Sequence, residues 1–248
     1  MLELRLTRSS TQENRRMMDR LRVGRLAVIA YLMAAAPFCS AGAQSPQTSV
    51  PAVLARLDTA SASFKSAQAN FHKVLLNALI KETTTQDGSI YIDGKGPQTQ
   101  VGLKITGEGA RTLDYRNGLM RVFNPAISCY NSVTAKSGQA ESFLALGFGG
   151  SGKELANAWE VSDLGSETLT SDGKPVKLEK LDLVPKDQNV KNTVTHVTLW
   201  LDLSRGIAVQ QELFSPSGDT QTAIYSNIRL NAPVDKKPFQ FKDKPCGN

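Results

Sequence analysis

Residues 147–154, "GFGGSGKE", carry the most suggestive chemistry in the chain, because Gly147, Gly152 and Lys153 have the spacing of a phosphate-binding loop. Such a loop leaves a buried strand, enters a helix and places a hydroxyl residue after the lysine to hold magnesium. Here the preceding "ESFLALGF" reads as helix, and the hydroxyl position holds Glu154, whose charge repels phosphate. The same residues spell a helix start instead. In "SGKE" the Ser151 hydroxyl can accept from the Glu154 N–H while the Glu154 carboxylate reaches back to the Ser151 N–H, a capping box. Gly147, Gly149 and Gly150 are then expected to be a hinge between two short helices, and no nucleotide is expected.

Little other chemistry is spelled out. The two histidines, His72 and His196, stand in strand-like runs with no H-x-x-x-H or C-x-x-C spacing and no G-x-S-x-G elbow in the chain. An isolated histidine of this kind is expected to be structural, and Asp182 and Asp202 to face solvent between apolar neighbours. The expectation is a protein that is not an enzyme and uses no metal or cofactor.

The N-terminus sets the compartment. A basic stretch, "RRMMDRLRVGR", precedes the apolar run Leu26–Ala36, and "SAGAQS" offers the small residues of a signal-peptidase site. An apolar run this short falls well under the roughly 20 residues needed to cross a bilayer. Residues 1–43 are therefore expected to be a removed signal peptide, and 44–248 a single periplasmic domain. Seven arginines and three acids before residue 44 account for most of the formal net charge of +6. No basic stripe with interleaved aromatics remains, so nucleic acid is not an expected partner. Two cysteines follow the leader, Cys129 and Cys246; in an oxidising compartment they are candidates for a disulfide, with two free thiols as the alternative.

The elements that would position a site are mostly strands. "VPAVLARLDTASASF" opens the domain as a helix near 50–64, with Val50, Val53, Leu54 and Leu57 on one face. From Phe64 to Asn131 the period is two, with Ile90 and Ile92 sharing a face and Val101, Leu103 and Ile105 another. Asp87-Gly88, Asp93-Gly94 and Asn117-Gly118 read as tight turns, which implies antiparallel pairing. A helical interruption near 139–160 follows. Strands then resume, with Val197, Leu199, Leu201 and Leu203 in register, broken by a polar loop over 186–194 and by turns at 204–206 and 215–219.

Broad apolar sheet faces beside short helices permit two readings: an ordinary helix-on-sheet core, or a lid over a cavity that takes an apolar ligand. On the second reading the helices contribute Leu54, Leu57, Phe143, Leu144, Leu146, Phe148, Leu155 and Trp159. The strands contribute Phe71, Ile90, Ile92, Leu103, Ile105, Met120, Val122, Leu199, Leu201 and Val209.

The ordered set of segments resembles the LolA-type lipoprotein carriers and their periplasmic lipid-handling relatives. "FKSAQANF" is similar to the family's first strand, and "NGLMRVFNPAISCY" to the strand that ends in an aromatic–acid–Pro turn, with Asn124 in the acid's place. "FLALGFGGSGKELANAWEV" resembles its lid region. The stretch from Val197 to Phe241, with Gly218, Asp219, Asn227, Asn231, Phe239 and Phe241, is the closest segment. The resemblance implies a mainly β fold, an incomplete, strongly curved antiparallel barrel of about eleven strands under a helical lid. It implies a monomeric carrier of lipoprotein acyl chains or free lipid, with an inner-membrane donor complex and an outer-membrane acceptor as partners. An envelope-stress sensor or protein-interaction module of the same fold is the alternative. The family's lid is latched by an early-strand arginine; here that stretch offers Lys104 or Arg111.

Overall fold

Period-two alternation produces the dominant element, a single sheet. A computed structural model of the chain describes residues 49–134, 146–242 and 244–247. Helix α1 (Val50–Ser63) begins with Pro51 in its first turn and buries Val53, Leu57 and Ser61, one per turn along one face. Strands β1 (Ser66–Asn77), β2 (Glu82–Asp93), β3 (Gln100–Thr106), β4 (Arg111–Arg116), β5 (Leu119–Asn124) and β6 (Cys129–Thr134) form a meander. Helix α2 (Gly152–Ala158) leads into β7 (Trp159–Ser171) and β8 (Lys174–Pro185), and the one-turn α3 (Gln188–Lys191) follows. Strands β9 (His196–Asp202), β10 (Ile207–Phe214) and β11 (Thr220–Leu230) then return to pair β11 with β1.

The resulting order is β12-β6-β5-β4-β3-β2-β1-β11-β10-β9-β8-β7, where β12 (Lys244–Pro245) is a two-residue parallel addition to β6. The eleven long strands are antiparallel throughout, and the curved sheet does not close: β7 and β12 are its edges. Register shifts at Gln68/Asn70, Ala208/Gln210 and Asp163/Ser166 insert bulges, which bend strands and increase twist.

Cross-strand register divides the side chains between two faces. The inner face carries two apolar clusters. One gathers Phe64, Phe71, Ile90, Ile92, Tyr115, Phe148 and Tyr225. The other packs Val53 and Leu57 of α1 with Leu146, Trp159, Leu181, Leu199 and Leu201. On the outer face the C-terminal tail crosses β2–β6. Phe239 meets the Tyr91 ring edge-on at 4.8 Å, Phe241 stacks on Phe123 at 5.2 Å, and Cys246 is disulfide-bonded to Cys129.

Some local expectations are revised. Asp87-Gly88 is not a turn but lies within β2, because the Phe71 ring packs where a side chain at residue 88 would stand: an added Cβ would be 2.4 Å from it. The β1–β2 turn falls at 78–81 instead, with Lys81 at φ 55°. Asn117-Gly118 does form the β4–β5 hairpin turn, both residues at positive φ. The polar loop over 186–194 contains α3, capped by the Asp187 carboxylate on the Asn189 and Val190 N–H groups. The second helix ends at Ala158, and Trp159 already opens β7.

Candidate functional site

The two described lid helices meet through a glycine. A Cβ at Gly152 would lie 2.1 Å from the Leu54 carbonyl oxygen, so only glycine lets α2 approach the α1 backbone this closely. The Lys153 N–H donates to Asp58 Oδ1 at 3.1 Å, and the Lys186 ammonium to the Ala156 carbonyl at 2.6 Å. The capping box read from the sequence is present: Glu154 N–H to Ser151 Oγ at 3.1 Å, Ser151 N–H to Glu154 Oε2 at 2.9 Å. Glu154 thus serves the helix start, and the Lys153 N–H is taken by Asp58.

Residues 146–150 form a strap pinned between α1 and the sheet. The Ala208 N–H donates to the Gly147 carbonyl at 2.7 Å, the Gln211 amide donates to the Leu146 carbonyl, and the Ser61 hydroxyl donates to the Gly149 carbonyl at 2.7 Å. Phe148 bridges to Ile207 and packs edge-on against Tyr225 at 4.8 Å. Gly147 and Gly149 take φ of 81° and 74°, and a Cβ would stand 2.5 Å from Ala208 Cβ and 2.3 Å from the Phe64 ring respectively. Their role is close approach in a left-handed backbone, so at these two positions the structure replaces the expected hinge with a clamp. Gly150 meets nothing within 4 Å.

A third wall comes from residues 94–99, between β2 and β3. The Lys95 ammonium there donates to the Ser61 carbonyl at the C-terminal turn of α1, where carbonyls lack helical partners and the dipole favours a cation. Neither expected latch does this. Lys104 lies on the outer face, opposite Ser89 and Thr112, and Arg111 donates to the Ala110 carbonyl at 2.7 Å and Asn124 Oδ1 at 3.2 Å. Lys95 carried a faint signal: a lone cation between two glycines just after a strand.

These walls enclose a cavity of about 250 Å³. Of the expected residues, Leu57, Ile92, Leu146, Phe148, Leu155, Trp159, Leu199 and Leu201 line it, with Gly147, Gly149 and Gly150. Phe71 and Ile90 are instead buried in the packed cluster beside it, and Leu103, Ile105 and Met120 lean half-buried on that cluster. Val122 is half-buried on β5, and Leu54 half-buried on α1. Val209 belongs to the other face, packed with Leu178 and Trp200, because the bulge at Ala208/Gln210 breaks the alternation that would have turned it inward. Phe143 and Leu144 lie outside the described residues. Ser61, Phe64, Pro97 and Thr99 also line the cavity and were not legible as site residues, since only the chain's return brings them together.

Each histidine is paired with a carboxylate. His72 Nδ1 lies 2.8 Å from Asp87 and His196 Nδ1 2.8 Å from Asp182, each across a strand pair, with no serine or cysteine on either imidazole among the described residues. Asp202 is buried rather than solvent-facing, accepting from the Ser204 N–H and hydroxyl and from the Arg205 guanidinium. Burial alone would raise its pKa; those donors outweigh it and hold the carboxyl below its usual value. Among the described residues no group of three metal-binding side chains stands together.

An unclosed, curved antiparallel sheet with short helices over its hollow side is the architecture that the sequence resemblance implies. No family model and no curated protein matches the chain in sequence. Similar solved structures include a putative outer membrane lipoprotein-sorting protein domain from Vibrio parahaemolyticus, at 13% identity over 77% of this chain and 97% of that one, TM-score 0.42. A LolA superfamily protein from Nitrosomonas europaea is similar at 15% identity over 77% of this chain and 97% of that one, TM-score 0.39. The MucA/MucB complex of Pseudomonas aeruginosa is similar at 15% identity over 78% of this chain and 61% of that one, TM-score 0.45.

Proposed function

We propose that this LolA-like chain is a periplasmic binding protein that takes an acyl chain of a lipid or lipoprotein beneath α1 and α2 and carries it toward the outer membrane. The observation that supports this is the apolar cavity of about 250 Å³ walled by helices too short to be stable alone. Its volume lies just under the roughly 300–1,000 Å³ of ordinary small-ligand pockets. A long acyl chain therefore enters only as the helices and strap move outward. Each buried methylene contributes about 0.8 kcal/mol, offset in part by that displacement. Occupancy and closure then compete, and a donor or acceptor that holds the helices open shifts the balance.

The test is saturable uptake of a fluorescent fatty acid by the wild-type protein and by Gly150→Phe. A side chain at residue 150 has free space beside the cavity, so this variant should melt as wild type does yet bind at least tenfold more weakly. A wild-type protein that takes up no fatty acid would sink the reading.

One observation favours docking to a protein partner as a second reading. The β1–β2 turn exposes Leu79 to 89% and Ile80 to 62%, an apolar tip. On that reading the protein purifies free of lipid, which a native mass spectrum reads directly, and Leu79→Ser with Ile80→Ser leaves its stability unchanged.

A further inference from the structure

Among the described residues, β1 turns one cation, Lys73, to the inner face. Along β1 the inward residues are Ala67, Ala69, Phe71, Lys73 and Leu75, so Lys73 follows three cluster residues into the hollow. Across the strands it stands opposite Gln86 on β2 and Ala223 on β11. Among the described residues its ammonium has no hydrogen bond and no carboxylate partner, and burial alone pulls its pKa down. Gln86 is in the same condition: its Oε1 is sealed from solvent and unpartnered. Lys73 is half-buried, while the sealed, unpaired Gln86 carbonyl opposite it is costly, and a ligand that donates to that carbonyl and pairs with the ammonium would remove the cost. The inner face's other cation on these strands, Arg111, is already occupied by Ala110 and Asn124, and its acid, Glu82, lies at the far tip of the β1–β2 hairpin.

The surroundings specify the rest of that ligand. Below the polar pair the inward residues are apolar apart from Arg111: Ile105, then Leu103 with Leu113 and Val122, then Met120 in the row of Ile92. Leu103, Ile105, Leu113, Met120 and Val122 are all only half-buried. Ile92 lines the cavity and sits opposite Ala67, six residues from Lys73, about 20 Å along the strand. We infer that Lys73 and Gln86 seat the headgroup of an anionic single-chain lipid, the ammonium pairing with its carboxylate or phosphate and Gln86 Oε1 accepting from a neighbouring hydroxyl, while the tail follows the half-buried rows toward the cavity. This rests on the acyl-binding reading and adds to it a requirement for negative charge at one end.

Palmitate, methyl palmitate and acetate separate the possibilities, each measured by displacement of a fluorescent fatty alcohol. The wild type should bind palmitate at least tenfold more tightly than its uncharged ester. Lys73→Met should erase that preference without weakening the ester and without lowering Tm, and Lys73→Arg should restore most of it. Equal affinity for acid and ester, or a preference that survives Lys73→Met, overturns the headgroup assignment and leaves acyl binding intact. Displacement by acetate at the same concentration assigns the pair to free anions and overturns it too. If neither palmitate nor its ester binds, acyl binding itself has failed.

Discussion

The Ser61 hydroxyl, on the last turn of α1, donates to the Gly149 carbonyl at 2.7 Å, and its own carbonyl accepts the Lys95 ammonium. One residue therefore ties the helix both to the strap and to the β2–β3 connection, each of which lines the cavity. Ser61→Ala keeps the helix and the Lys95 contact but strands the Gly149 carbonyl in a part-buried site. The expected loss is about 1–2 kcal/mol of unfolding free energy in urea. Stopped-flow release of a fluorescent fatty acid should be faster, because the removed contact belongs to the closed form. Unchanged release would show that the strap does not govern exit.

Adjacent glycines should respond oppositely to the same substitution. At Gly149 alanine meets both a left-handed backbone, costing roughly 1–2 kcal/mol, and the Phe64 ring 2.3 Å from its Cβ. Overpacking typically adds about 1–3 kcal/mol. At Gly150 nothing lies within 4 Å, so alanine there should change stability by no more than about 0.5 kcal/mol. Thermal melts check the pair: Gly149→Ala should fall by roughly 5–15 °C and Gly150→Ala should not move.

That contrast also marks how far the sequence could be read. Strand alternation needs only neighbouring residues, so the rows through Ile92, Leu199 and Leu201 and the antiparallel meander were legible. The capping box at Ser151 and Glu154 was legible for the same reason. Which glycine is a hinge and which a clamp depends on Phe64 and Ala208, 85 residues before and 61 residues after the strap's Gly149 and Gly147, and no local pattern encodes that. The latch went astray similarly. Lys104 sits in a good strand, but parity puts it on the outer face, whereas Lys95 lies in a connection whose position over α1 only the folded chain defines. Val209 was lost to a bulge, which shifts parity by one residue without any mark in composition.

The acid limb of stability should carry the mark of Glu179. It is 5% exposed, its Oε2 accepts from Ser166 Oγ at 3.0 Å, and its Oε1 has no partner. Burial first, then the nearby Asp163 carboxylate, push its pKa above 4.5 against the Ser166 hydroxyl and Lys177. A carboxyl raised by folding contributes stability that is fully present below its unfolded pKa and lost as pH rises through the folded one. Glutamine holds the neutral form at every pH. Glu179→Gln should therefore melt higher than wild type at pH 7.5, and the two should converge near pH 4. A variant less stable at pH 7.5 would mean the carboxylate is compensated by contacts beyond these.

The disulfide should stabilise the fold without touching the ligand. Cys129 and Cys246 are 117 residues apart in sequence, and a loop of that size is worth about 4–5 kcal/mol in the chain-entropy model. The tail it ties down lies on the outer face, where Phe239 is 1% exposed against Tyr91 and Phe241 stacks on Phe123. The cavity is on the inner face, built from α1, α2 and the strap. Reduction should consequently lower Tm by roughly 10–20 °C, while fatty-acid affinity at 25 °C stays the same. Cys129→Ser with Cys246→Ser should melt where the reduced wild type does and be indifferent to reductant. A melt unchanged by reductant would mean that the Phe239 and Phe241 contacts hold the tail unaided. An affinity that falls with reduction would mean that the outer face and the cavity move together.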